Sequence, residues 1–324
     1  MRLRTVVVGL GNIGMGYDLS SGSPDTVMTH VRALRQNPVT YLSGAVDPDR
    51  TKLKSFEDLT QRPGFESIIS IGNSDAVNLA IIASPTNKHL DTIEVALGQF
   101  DDLRAILCEK PLHCDEASAR RIVQLCRERG VKLYVNYFRR CEPSARNITN
   151  RINSGSIRGP FKGVAWYSKG IRHNGTHLLD LLSSWLGSPL EFRILSRGRD
   201  WPDEDMEVDF VLRFDQGEIH FISLADDQHD INAIELFASN GNLRYGFNDL
   251  VSWQPSSSNP FVGVTKHTVK AEELFSDFSR YQAYVTQCLV EVIRGINTPI
   301  CSGQEAADLV RLANQIIKSA RDHA

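Results

Sequence analysis

The sequence predicts an α/β protein: a doubly wound parallel sheet at the N-terminus, followed by a second domain on a mixed or antiparallel sheet. Three observations carry this. A β-branched run, Arg4 to Val8, ends directly in Gly9-Leu10-Gly11-Asn12-Ile13-Gly14. Short apolar runs then alternate with helical spans as far as Val135, the pattern of a parallel sheet with crossover helices. Further on, Val208, Phe210, Leu212 and Phe214 alternate, Asp215-Gln216-Gly217 turns, and Glu218 to Leu224 returns as an antiparallel strand. The expected domains are residues 1–137 and 138–324.

The glycine run fits a dinucleotide. Gly9 permits a tight turn, Gly11 lets a pyrophosphate approach the backbone beside Asn12 and Ile13, and Gly14 lets helix and strand pack closely. The usual helix does not follow at once: Gly16, Gly22 and Pro24 interrupt Met15 to Met28, which reads as an inserted loop. It either covers the cofactor or substrate or is a surface excursion. The helix begins near Thr29, a cap, turns Val31 and Leu34 inward and ends at Asn37-Pro38. Thr40 to Val46 is the second strand and ends in Asp47, placed to accept hydrogen bonds from the adenosine ribose and to repel a 2′-phosphate. That favours NAD; the neighbouring Arg50 keeps NADP open, and Asp47 also suits a turn before Pro48.

Ala76 to Ala83 is a third strand, and Ser84-Pro85-Thr86 with His89 follow it on the nicotinamide side. Arg104 to Cys108 is the fourth, stopping on Glu109-Lys110-Pro111, where open α/β sheets bind their ligands. A lysine beside a carboxylate there can hydrogen-bond a reacting oxygen and move its proton, although a chance ion pair at a strand end is the plainer alternative. A helix from Asp115 to Arg129 and a last strand, Lys132 to Val135, open on Asn136-Tyr137.

The second half reads as a helix from Ser144, a strand from Lys162 to Ser168 and a polar turn, Lys169 to Gly175. Asn174 or Thr176 is expected to cap a helix running to Leu186. His177 then falls in its first turn, where the dipole is expected to hold the imidazole neutral, able to take a hydroxyl proton. Further strands follow at Ile231 to Ala238. Leu274, Phe278, Tyr281, Val285, Cys288 and Val292 repeat at helical spacing, and a last helix runs from Ser302-Gly303 to about Ala320.

Bulk composition narrows the function. The chain has 324 residues, 41% hydrophobic and 23% charged, and a net charge of −3, which points away from nucleic acid and from anionic membranes. No apolar run approaches membrane-spanning length, and the expectation is a cytoplasmic protein. The six cysteines form no C-x-x-C pair, so reduced thiols are expected and a zinc site is not.

The chain resembles the glucose–fructose oxidoreductase / inositol dehydrogenase / MocA family of sugar-type dehydrogenases. The residues that carry the resemblance are Gly9, Gly11 and Gly14; Ser84-Pro85-Thr86 with His89; Glu109-Lys110-Pro111; Asn136-Tyr137-Phe138-Arg139-Arg140 with Pro143; Gly175 to Asp180; and Gly303 to Ala306. The resemblance implies a Rossmann domain, then an α+β domain with a large open, mostly antiparallel sheet, and a lysine–histidine site between them. It departs at one point: the family usually has an aspartate four residues before the histidine, and here that residue is His173.

The expected activity is hydride transfer between NAD(P) and a carbinol carbon of a sugar, sugar derivative or nucleotide sugar. Lys110 polarises the reacting oxygen, His177 is the acid/base and His173 modulates it. Tyr137, Arg140, Lys169, Arg172 and Asn174 line the substrate side. The exposed sheet face is expected to make a homodimer or homotetramer. Two alternatives stand beside this: a non-catalytic NAD(P)-binding regulator of the same fold, and a metal-assisted hydrolase or lyase using His173, His177 and Asp180.

Overall fold

Val6, Val7 and Val8 of β1 (Leu3–Val8) are buried at the centre of a parallel sheet, where a β-branched run covered on both faces belongs. In the computed structural model, which describes residues 2–322 apart from 22, 73–75, 226, 248–249, 259–264 and 267–269, the chain forms two units. One comprises Met1–Cys141 with Ser279–Val310, the other Glu142–Phe278 with Arg311–Ala324.

In the first unit, α1 (Tyr17–Ser21), α2 (His30–Gln36), β2 (Thr40–Val46), α3 (Arg50–Thr60), β3 (Gly64–Phe65), β4 (Leu79–Ile82), α4 (His89–Gln99), β5 (Ala105–Cys108), α5 (Glu116–Glu128) and β6 (Lys132–Val135) follow β1. The parallel strands are ordered β6-β5-β4-β1-β2-β3, and Cys301–Ser302 adds an antiparallel edge beside β6. The chain leaves β1 in one direction for β2 and β3 and in the other for β4, β5 and β6. A switch point therefore opens at the carboxyl ends of β1 and β4.

Thr29 caps α2 as expected, accepting the Arg32 amide. The stretch read as a loop from Met15 is partly helical: a π-type turn, Asn12–Gly16, runs into α1. Asp18 ties the far end of the stretch back, accepting the amides of Met28 and Thr29 and the Thr29 hydroxyl. That tether is what the glycine and proline pattern conceals.

The second unit begins with α6 (Pro143–Asn153), β7 (Phe161–Tyr167) and α7 (Thr176–Leu186), and continues through β8 (Glu191–Trp201), β9 (Asp205–Phe214), β10 (Gly217–Ser223), β11 (Asn232–Ala238), β12 (Gly241–Phe247) and β13 (Leu250–Pro255). Its sheet is ordered β13-β12-β11-β7-β10-β9-β8, with Glu272–Glu273 beyond β13; among the described residues only β7 and β10 are parallel neighbours. The alternation in β9 places Val208, Phe210, Leu212 and Phe214 in the core, where Phe210 stacks on Phe221 at 4.6 Å. The Tyr167 hydroxyl bridges β7 to the carbonyl and amide of Val208. The long β8, β12 and β13 lack a clean alternation and are not evident in the sequence. Of the loop expected near Pro255 to Pro260, residues 259 and 260 lie outside those described.

α8 (Tyr281–Ile293) and α9 (Gly303–Asp322) complete the chain. The helical spacing read from Leu274 holds only from Tyr281 onward; Leu274 follows the edge strand and bonds its amide to the Val251 carbonyl of β13. Val285, Cys288, Leu289 and Val290 of α8 join the core of the first unit beside Val31 and Leu34. That packing returns residues 279–310 to the first unit.

Asp115 caps α5, accepting the Ser118 amide at 2.8 Å, and this hydrogen bond holds its carboxyl below the usual range. The stabilisation is full above the unfolded value of about 3.9 and is lost as pH falls through the lower folded value. Asp115→Ala is expected to cost about 1 kcal/mol at neutral pH, read by urea denaturation, with the difference vanishing in acid.

Candidate active site

Strand register builds the first half of the site. Val8 lies opposite Ile82, Ile82 opposite Cys108 and Cys108 opposite Val135. The next residues, Gly9, Ala83, Glu109 and Asn136, therefore form one row across the carboxyl ends. The ladder continues through them: Ala83 N–H donates to Val8 O, Glu109 N–H to Ile82 O and Asn136 N–H to Cys108 O, at 2.7–2.9 Å.

Gly9 has φ +102°, and a Cβ there would lie 2.4 Å from the Ala83 carbonyl oxygen. A Cβ on Gly14 would lie 2.1 Å from Gly9 O, whereas Gly11 faces open space. The loop is thus closed where it touches the sheet and open where a pyrophosphate would approach. Asn12 is exposed and Ile13 half-buried on this turn. Asp47 is 5% exposed, and both carboxylate oxygens serve the protein: Oδ2 accepts Leu10 N–H at 2.7 Å and Oδ1 accepts Asp49 N–H at 2.9 Å. It ties the end of β2 to the glycine loop. Arg50 is exposed, and its Nε lies 2.8 Å from Glu66.

Glu109 sits in a buried polar ring. Its Oε1 accepts from His30 Nε2 at 2.7 Å and from Asn136 Nδ2 at 2.6 Å. Gln282 of α8 closes the ring, its Nε2 on His30 Nδ1 at 2.7 Å and its Oε1 accepting from Asn136 Nδ2 at 3.1 Å. Burial pushes the Glu109 carboxyl upward, but the His30 hydrogen bond, the Asn136 amide and the Lys110 charge outweigh it and bring the carboxyl below its ordinary range. Lys110 follows on the half-buried strand end. His30 and Gln282 are not singled out by sequence reasoning. The available signals are a histidine directly after the Thr29 cap and a glutamine on an otherwise apolar helix face.

Ser84 and Thr86 are half-buried and Pro85 exposed at the end of β4. His89 is fully buried, with Nε2 3.0 Å from Ser84 O and Nδ1 3.0 Å from Leu112 O. It joins the loop after β4 to the loop after Pro111. Burial pulls its pKa down despite those two carbonyls. Tyr137 is buried, and Arg140, 4% exposed, pairs with Glu305 at 2.7 Å.

The second unit gathers the other expected residues on one turn and helix. The helix expected to start at a cap on Asn174 or Thr176 starts earlier, with a π-type turn over Ile171–Gly175 that runs into α7. Thr176 does not cap; its hydroxyl donates to Arg172 O. Buried Asp205 supplies the end group, accepting the amides of Arg172 and His173 at 3.0 Å. His177 is the second residue of α7, as expected, and the π-type turn before it carries the helix-end amides that Asp205 accepts.

His177 is 6% exposed and His173 exposed. Lys169 Nζ lies 2.7 Å from Asp230, and Asn174 Nδ2 lies 3.5 Å from the same carboxylate. The Lys169 hydrogen bond, with smaller contributions from Asn174 and the charge of His173, holds the Asp230 carboxyl low. Arg172 directs its guanidinium to Asn314 and to the carbonyls of Asp203 and Glu204. Among the described residues no three His, Cys, Asp or Glu side chains are placed to hold a metal ion, and no helix is long and apolar enough to cross a membrane.

The sequence model of the oxidoreductase family with an NAD-binding Rossmann fold matches residues 3–137. Over these residues the chain is similar to that family. The chain is 23% identical over 237 residues to inositol 2-dehydrogenase of Rubrobacter xylanophilus, covering 73% of this chain and 63% of that one. It is 36% identical over 88 residues to an NADP-linked D-xylose 1-dehydrogenase of Haloarcula marismortui, covering 27% of this chain and 24% of the relative. Alignment thus spans less than two thirds of either relative's length. The WlbA dehydrogenase of Bordetella pertussis, solved with NADH and UDP-GlcNAcA, superposes with a TM-score of 0.75 at 18% identity, over 100% of this chain and 98% of that one. At that identity it shows a shared fold.

Gly9→Ala forces a side chain against Ala83 and is expected to weaken NADH binding by more than about tenfold, measured by fluorescence titration.

Proposed function

We propose that the protein is an NAD-linked dehydrogenase or reductase acting on a CH–OH carbon of a sugar, sugar derivative or nucleotide sugar. The observation that carries this is Lys110, held beside an anionic Glu109 at the strand-end row that begins with the glycine loop. Bound NAD would supply the hydride acceptor. Gly9, Gly11, Asn12, Ile13 and Gly14 hold its pyrophosphate, and Ser84, Pro85 and Thr86 flank its nicotinamide end. Lys110 donates a hydrogen bond to the reacting oxygen, His177 takes or returns its proton, and His173 with Asp230 tunes the polar surroundings. Lys169, an ammonium with three donors and paired with Asp230, is the cation for an anionic part of the substrate, while Arg140 pairs with Glu305 and Arg172 with Asn314 and two carbonyls. The pairing of Arg50 with Glu66 and the buried Asp47 favour NAD over NADP. The six cysteines are thiols outside any disulfide and five of them are buried, which suits a cytoplasmic enzyme.

Purified protein with NAD and a panel of polyols, aldoses and nucleotide sugars is expected to generate the absorbance of reduced nicotinamide. Lys110→Ala is expected to lower kcat/KM by about a hundredfold or more. Full turnover by that variant contradicts the assignment.

The same reading includes self-association through the sheet of the second unit. Val164, Trp166, His220 and Ile222 pair across β7 and β10 on one face and are partly exposed, and Phe237 of β11 is 49% exposed. Trp166→Glu is expected to shift sedimentation from dimer or tetramer to monomer.

A further inference from the structure

We propose that His30 and Gln282 are positioning residues for Lys110, holding Glu109 as the anion beside it through a closed hydrogen-bond ring. The proposal rests on reading Lys110 as the group that touches the reacting oxygen.

The ring admits few proton arrangements. Asn136 Nδ2 faces both Glu109 Oε1 and Gln282 Oε1, and an amide nitrogen donates to both. Gln282 therefore turns its Nε2 toward His30 and donates to Nδ1. With Nδ1 accepting, the imidazole carries its one proton on Nε2 and donates it to Glu109. Turning over Gln282 alone would set its Nε2 against Asn136 Nδ2, donor against donor. Turning over both amides would set Asn136 Oδ1 against the Glu109 carboxylate, and that requires two further protons, one on His30 and one on Glu109. The arrangement with the fewest protons leaves Glu109 ionised.

The ring is assembled by parts of the chain far apart in sequence. Register brings Asn136 beside Glu109. Val27 N–H donates to Ser279 O, Gln282 N–H donates to Val27 O, and the Tyr281 hydroxyl donates to Met28 O. The end of the 15–28 stretch is thereby docked against α8, which sets His30 and Gln282 in place. The other titratable groups that feel Glu109 are Cys108, His89, Tyr281 and Lys110. Lys110 is the one cation among them whose neighbour in sequence is the ring carboxylate. A fixed anion there favours its ammonium form, which donates to an oxygen.

The test is the ring-nitrogen NMR spectrum of His30 in the full-length protein, assigned by the signal missing from His30→Asn. The expected spectrum near neutral pH shows a proton on Nε2 and a bare Nδ1, and in Gln282→Glu the new acceptor draws a proton onto Nδ1. A wild-type Nδ1–H, or rapid exchange between tautomers, overturns the ring. In Gln282→Leu, kcat is expected to fall about tenfold and the Lys110 limb of the kcat/KM pH profile to move, with NADH affinity within about twofold of wild type. An unchanged profile with intact NADH binding overturns the positioning role. If Gln282→Leu does not fold, the wild-type and Gln282→Glu spectra decide. Full turnover by Lys110→Ala refutes the catalytic assignment separately, since the His30 spectrum does not depend on turnover.

Discussion

The parallel register at the switch point is the constraint on which the first unit's chemistry depends. One row across β1, β4, β5 and β6 sets Gly9, Ala83, Glu109 and Asn136 side by side. A slip of one residue in β5 would turn Glu109 to the other face of the sheet and break its contact with Asn136. The same row places Gly9 so close to the Ala83 carbonyl that no side chain fits. Backbone pairing thus decides both where a dinucleotide can approach and which carboxylate stands beside Lys110. The buried groups around the row serve its geometry: Asp47 ties down the glycine loop, and His89 joins the two loops on either side of β5.

The second unit solves a comparable problem with one buried acid. Lys169 and Gly170 both have positive φ, and the turn after them would leave free amides at its start. Asp205, from the start of β9, accepts those of Arg172 and His173. The turn that carries His173 and Asn174 is thereby fixed to the sheet, and α7 continues from it with His177 and Asp180 buried. His173 stands where the resemblance implies an aspartate. The nearby carboxylate is Asp230, anchored by Lys169, so negative charge is present close to this turn although not at position 173.

The parts of this architecture that were legible in the sequence are those written in local pattern. The β-branched run into Gly9, the Thr29 cap, the apolar strand ending on Glu109-Lys110 and the alternation through Phe214 each depend on neighbouring residues. What escaped depends on partners distant in the chain. His30 meets Glu109 across 79 residues and Gln282 across 252. Asp205 reaches His173 across 32 residues, and without that contact a cap at Asn174 is the natural reading. The helicity of Tyr17–Ser21 was hidden for the same reason: glycine and proline signal a loop, while the Asp18 tether that organises it is tertiary.

The proposal turns on Lys110 reaching the substrate oxygen from the strand-end row. A crystal structure with NAD and a turned-over sugar would decide it. The expected complex has the Lys110 amine within hydrogen-bond reach of the hydroxyl on the carbon facing the nicotinamide ring. An amine turned away from both the sugar and the nicotinamide would refute the proposal.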